Sequence, residues 1–186
     1  MENTQRVIDF VVKTRFEDIP AKGLEQARIG IFDCVGVALA GARQPAGAIG
    51  AEWARKAGGV QQATVWGQGF KTSAHDAALV NGTAAHALDY DDVTWGLIGH
   101  PSVSLVPSVF ALGEQINASG RDVLLAYAVG FEVMAKLGRT RSLRIRSKAA
   151  GTPPAPSAPS APRPPAASCS ALMPTRLGAR SASSIR

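Results

Sequence analysis

Two histidines and three aspartates crowd the stretch NGTAAHALDYDDVTWGLIGHPS, residues 81–102, whose other members are mostly small and apolar. His86 and Asp89 stand three apart, a spacing that puts both on one side of a helix end. Asp91 and Asp92 follow, and His100 arrives on a Gly-His-Pro turn. Gly99 frees the backbone before His100, and Pro101 keeps His100 out of the helical region. The imidazole is therefore carried on a stiff turn, as a general acid or base would be. Adjacent carboxylates repel one another, so folding alone does not ask for this cluster.

Three readings stay open from the residues. In the first, the aspartates cap helix ends and His100 is a satisfied turn residue. In the second, the cluster holds a metal, although its spacing matches no standard pattern. In the third, crowded carboxylates do acid–base work. Neighbouring carboxylates push their pKa values apart, so one holds a proton while another stays ionised. An acid, a base and a histidine together suit removal of a proton next to a carboxylate, with departure of water or carbon dioxide.

The elements that must position this cluster read as helix after helix over the first 140 residues, a mainly α, bundle-like architecture. Residues 3–15 form a short amphipathic segment. Asp18-Ile-Pro20 opens a longer helix with Pro in its first turn. Leu24, Ala27, Ile31, Val35 and Ala38 give it a buried stripe, and Gly41 stops it. An Ala-rich helix spans about 46–57 and ends at Gly58-Gly59. Residues 63–67, ATVWG, are the one convincing strand. Gly67-Gln-Gly69 reads as a plain turn, because no Lys-Ser/Thr follows to make it a phosphate loop. Ser73 to Asp76 starts a helix over 74–88, and Ser119 to Asp122 starts another that ends at Gly138. A helix over 103–117 lies between them. Within 74–88, Gly82 reads as a point of close backbone approach rather than as part of an Asn-Gly turn. The helices over 74–88 and 123–137 are apolar nearly all round, so their partners are expected downstream of this sequence.

The chain's 186 residues suffice for one domain with a real core. The net charge of +6 suggests a nucleic-acid partner, but its distribution argues against one. Residues 1–132 hold all 14 acidic residues against ten basic ones, a balance of −4. The positive charge belongs to residues 133–186. The two cysteines, Cys34 and Cys169, have no metal-ligand spacing and imply no disulfide framework, which suits a reducing cytoplasm. The N-terminal residues lack a signal peptide's apolar centre. The longest apolar run, 123–135, is broken by Glu132 and too short to span a bilayer. No membrane partner is expected. From about residue 143 the character changes: GTPPAPSAPSAPRPPAA carries seven of the chain's 12 prolines, and no aromatic occurs after Phe131. Residues 143–186 read as a disordered, basic Pro/Ala-rich tail after a helical unit over 1–142.

LVNGTAAHALDYDD, the GHPS after it, and LLAYAVGFEVMAKLG together resemble the MmgE/PrpD family, over residues from about 5 to about 140. That family includes 2-methylcitrate dehydratase, cis-aconitate decarboxylase and iminodisuccinate epimerase. The resemblance implies the N-terminal part of a mostly helical larger domain, a homodimer, no metal and no cofactor, and small di- and tricarboxylate substrates. It implies a lyase of the 2-methylcitrate dehydratase kind, working by proton abstraction and elimination. Asp89 and His100 match positions lining the family's active site. His86, Asp91 and Asp92 match its motif. Where some relatives have Thr after the Asp-Asp pair, this chain has Val93, with Thr94 next. A second histidine in a Gly-Trp-His segment, a lysine and a second domain come later in relatives and lie outside this sequence. The chain by itself is therefore expected to be inactive.

The change of character near residue 143 also reads as a frame-shifted translation. With codons chosen freely, one reading frame earlier spells Trp-His-Ala-Thr-Gly-Thr-Leu-Gly-Thr-Phe-Gly and four alanines, and Met173-Pro174 then yields Ala whatever the codons. A genuine Pro/Ala-rich linker is the alternative. The rival to an enzyme is a non-catalytic helical interaction module whose basic tail meets acidic partners.

Overall fold

The computed structural model describes residues 2–94, 97 and 99–150, with side chains from 3 to 139. Among the described residues, six helices and one hairpin occur in the order α1 (Glu2–Lys13), α2 (Ala21–Gly41), α3 (Pro45–Ala57), β1 (Ala63–Val65), β2 (Phe70–Thr72), α4 (Ala74–His86), α5 (Ser102–Ile116) and α6 (Gly120–Ala150). A single 3₁₀ turn, Phe16–Asp18, separates α1 from α2. The chain is mainly α, as its sequence pattern indicates. The expected Pro/Ala-rich disorder of the tail lies outside the described residues from 151 on.

Local chemistry accounts for most boundaries. Pro45 sits in the first turn of α3, where its missing N–H costs nothing, and Gly58 ends the helix at φ 72°. The Ser73 hydroxyl accepts from Asp76 N at 3.1 Å and donates to the Asp76 carboxylate at 2.7 Å, closing the first turn of α4. Ser119 and Asp122 repeat this at α6.

Expectations change at the hairpin and at the last helix. Residues 70–72 form a second strand, antiparallel to β1, with Ala63 opposite Thr72 and Val65 opposite Phe70. Three residues are too few to show alternation, but Gly67 and Gly69, at φ 69° and 70°, supply the left-handed geometry of the connecting turn. The last helix does not stop at Gly138; it continues to Ala150, so the boundary expected near residue 142 falls inside it. Arg, Leu, Lys and Ala dominate residues 139–150 and favour a helix. Gly138 is a contact residue instead: a Cβ there would lie 2.6 Å from the Leu97 Cα.

Helix α4 is the centre of the unit and packs against α2, α3, α5 and β1. Partners for its all-round apolar surface, expected downstream from the sequence, are thus found within the described residues. On one side, Ala85 joins Ala27, Cys34 and Ala38 of α2, Val106 of α5, and Leu124 and Tyr127 of α6. On the other, Ala77 and Val80 meet Ala51 and Ala54 of α3 and Ala63 and Val65 of β1. Small residues let these backbones approach closely. Gly82 does what its sequence suggested, since a Cβ there would press to 3.2 Å on the Val103 carbonyl. Its neighbour Asn81 is buried and stitches α4 to the hairpin: its amide donates to Thr64 O and its carbonyl accepts from Trp66 N, both at 2.9 Å. Asn81→Ala strands both backbone groups and is expected to cost about 2 kcal/mol in urea unfolding. The outer face of α2 remains apolar and open, with Phe32 83% exposed.

Candidate active site

Helix α4 ends at His86, and the chain reaches α5 by a loop over residues 87–101. Asp89 adopts the left-handed region at φ 54°, which asparagine and aspartate tolerate better than most residues. This turn swings the chain back, so Asp91 rather than Asp89 meets His86. The Asp91 side chain is 0% exposed and lies between the two imidazoles. Both its oxygens are 3.0 Å from His86 Nδ1. Its Oδ2 is 3.2 Å from His100 Nδ1, which is also 3.3 Å from the Asp91 backbone carbonyl. The rings meet edge to face, with centroids 4.9 Å apart. Asp89 sits at the open side, 79% exposed, with Oδ1 at 3.7 Å from His100 Nε2.

Asp92 points the other way, into the core. It accepts from Ser102 N at 3.0 Å and from the Ser102 hydroxyl at 2.7 Å. The Ser102 hydroxyl is also 2.7 Å from the Tyr127 hydroxyl. A carboxylate only accepts, so the protons run Tyr127 to Ser102 to Asp92. Ser102 opens α5 two residues after His100, so this buried chain fixes the turn that carries the imidazole. Thr94 takes no part in the imidazole–carboxylate contacts; its N–H donates to Gly99 O at 3.1 Å and closes the loop in a short antiparallel bridge.

The structure therefore gathers His86, Asp89, Asp91 and His100, turns Asp92 to a positioning role, and leaves Thr94 as a loop clasp. Ser102, Tyr127 and Cys34 are supporting residues that the spacing argument did not single out. Ser102 is the last residue of Gly-His-Pro-Ser, and Tyr127 lies within LLAYAVGFEVMAKLG, so both stand in the quoted motifs. Gly30 of α2 leaves room for the Tyr127 hydroxyl, which a Cβ there would overlap. Cys34 donates to Ser102 O at 3.6 Å. A cavity of about 480 Å³ lies elsewhere, between Phe10, Pro20, Ala27, Tyr127 and Phe131, and holds none of the cluster residues.

Burial, with the nearby negative charges of Asp92, Asp91 and Asp33, pushes the Cys34 thiol up to about 12 from 9.0. Burial also raises Tyr127, with Asp92 adding to the effect and the Ser102 hydrogen bond opposing it. Both groups stay protonated in the fold while the unfolded chain ionises at ordinary values. The stability these two groups contribute is therefore fully present below pH about 9 and is lost as pH rises toward 12. Urea midpoints measured across that window are expected to drop, and Cys34→Ala to drop less steeply.

No helix among the described residues is long and apolar enough to cross a membrane. The chain matches the MmgE/PrpD N-terminal domain over residues 5–159, beyond residue 140, where the resemblance read from motifs ended. It is 34% identical to human cis-aconitate decarboxylase over 119 residues, 61% of this chain and 24% of that protein. It is 44% identical to the Mus musculus cis-aconitate decarboxylase over 79 residues, 40% of this chain and 16% of that protein. To the Aspergillus terreus enzyme of the same name it is 30% identical over 151 residues, 73% of this chain and 29% of that protein. The chain thus spans less than a third of the length of these relatives. A match covering most of the chain, on a helical unit that presents the paired histidines and aspartates together, places this protein in the MmgE/PrpD family.

Proposed function

We propose that the domain supplies one wall of a lyase site for small di- and tricarboxylates, with decarboxylation of cis-aconitate the favoured reaction. The observation that carries this reading is buried Asp91 between two imidazoles. An ionised carboxylate only accepts, so both Nδ1 atoms carry their hydrogens and, while the rings are neutral, both Nε2 atoms keep a lone pair. His100 Nε2 faces the open side, beside Asp89. It is the proton-transfer atom. Protonated, it supplies the proton that carbon needs once carbon dioxide has left; neutral, it removes a proton in an elimination or an epimerisation. Asp91 holds the ring and stabilises the imidazolium, as the carboxylate does in a Ser-His-Asp triad. Asp89, exposed on the rim, positions substrate or the protonated ring.

The names of the relatives favour decarboxylation over the dehydration of 2-methylcitrate, which the motif alone allows equally. Activity, substrate range, homodimer formation and a cytoplasmic setting are proposed for the longer protein that includes this domain. Assay of such a full-length protein with cis-aconitate, 2-methylcitrate and iminodisuccinate, with products monitored by NMR, tests the reading. Loss of carbon dioxide from cis-aconitate is the expected result. Turnover of 2-methylcitrate alone would move the assignment to dehydration, and no turnover of any of the three would sink the lyase reading. The present chain assayed alone is expected to give no turnover, because catalytic groups that act as a unit fail together.

A further inference from the structure

We infer that the same cluster is an inhibitory binding site for a divalent transition-metal ion of the zinc class, held by His86, Asp91 and His100. Binding rests on the cluster's geometry and charge; only its inhibitory consequence rests on the lyase reading. One ligand atom from each of His86, Asp89, Asp91 and His100 lies within 4.8 Å of the others. Zn–N and Zn–O bonds of roughly 2.0–2.2 Å at tetrahedral angles put ligand atoms about 3.3 Å apart. His86 Nδ1 stands 3.0 Å from the Asp91 carboxylate, and His100 Nδ1 stands 3.2 Å from its Oδ2. Two edges of a tetrahedron are therefore already formed around one carboxylate.

Charge points the same way. Asp91 is fully buried, and two imidazoles face it. When those rings are neutral, a buried anion has only hydrogen bonds to offset its desolvation, and a divalent cation supplies the missing charge. The protein then provides two nitrogens and one oxygen and leaves a fourth position open, the pattern of an accessible zinc site. Asp89, exposed at the mouth, or a water fills it.

The inhibition is a matter of tautomers. A metal on Nδ1 displaces the hydrogen from that nitrogen, and a neutral imidazole then carries it on Nε2. No bond to carbon changes and no electrons move; the proton passes through solvent from one ring nitrogen to the other. His100 thereby loses the Nε2 lone pair that the lyase reading requires. The ion acts as an inhibitor and not as a cofactor.

The chain itself provides the test, and its third histidine, His75, is an internal control, 90% exposed and beside Asp76. Zn²⁺ is titrated into the protein in chelator-free buffer, with calorimetry and long-range ¹H–¹⁵N spectra of the imidazoles. Saturable binding is expected, with His86 and His100 both passing to the Nε2–H form while His75 stays unchanged. His86→Ala and His100→Ala are each expected to weaken binding at least about tenfold. Circular dichroism checks that they fold, and the wild-type spectra decide the matter even where a variant does not. Absence of histidine shifts at millimolar Zn²⁺, or equal shifts at His75, would overturn the proposal. Zn²⁺ binding with the expected shifts, alongside a full-length protein inert toward all three carboxylates, would uphold the site and reject the lyase reading. Turnover without Zn²⁺ binding would do the reverse.

Discussion

Replacing His100 by Ala in a full-length enzyme that carries this domain is expected to lower kcat by about 100- to 10,000-fold, the range that one positioned acid–base group contributes. KM is expected to change little, because a group that transfers a proton on the proposed reading acts in the transition state rather than in holding the substrate. His86→Ala is expected to cost less. Its Nδ1 shares the Asp91 carboxylate with His100, but it is His100 whose Nε2 stands 3.7 Å from Asp89 at the rim. Steady-state kinetics of the two variants on cis-aconitate check the order. A His100→Ala enzyme with near-normal turnover would remove His100 from the chemistry.

Gly41→Ala is expected to destabilise the chain by about 3 kcal/mol, the upper end of the usual cost of overpacking a tight contact. A Cβ at Gly41 would overlap the Ala84 carbonyl oxygen and lie 2.9 Å from the Ala84 carbonyl carbon. Both are backbone atoms of α4 and cannot rotate away, so α2 and α4 must separate. The same movement shifts His86, at the end of α4, away from Asp91. Gly36, five residues earlier in α2, has no neighbour within 4 Å of a built Cβ. Gly36→Ala is expected to be stabilising by up to about 1 kcal/mol, because alanine is the better helix former. Urea unfolding of the two variants separates close packing from helix propensity.

The caps and stops of the helices were legible because each is a local event. Ser73 with Asp76, Ser119 with Asp122, and Gly58 act within a single turn, and their residue types carry the signal. The end of the last helix was not legible. Gly138 has the identity of a stop but serves as a landing place for Leu97, a long-range contact that no local rule contains. The central position of α4 was hidden for a similar reason. Its all-round apolar surface says that it is buried, but not that α2, α3, α5 and β1 all come from the same stretch of chain.

Within the site, the motif named the residues that come together, and the resemblance put Asp89 and His100 ahead of His86, Asp91 and Asp92. Asp89, Asp91 and Asp92 are equivalent in a sequence. The left-handed turn at Asp89 distinguishes them, sending Asp91 between the imidazoles, Asp92 to Ser102, and Asp89 to solvent. Ser102 and Tyr127 are 25 residues apart, and only the packing of α5 against α6 brings their hydroxyls to 2.7 Å.

The central claim is that Asp91 holds the proton of His100 on Nδ1 and leaves Nε2 free toward the open side. Long-range ¹H–¹⁵N correlation of the imidazoles, recorded on the metal-free chain at a pH where the rings are neutral, reports the tautomer of each ring directly. The account predicts the Nδ1–H form at His86 and His100, the ordinary solvent-exposed mixture at His75, and loss of the Nδ1–H preference at His100 in Asp91→Ala. A His100 ring carrying its proton on Nε2 in the native chain would contradict it.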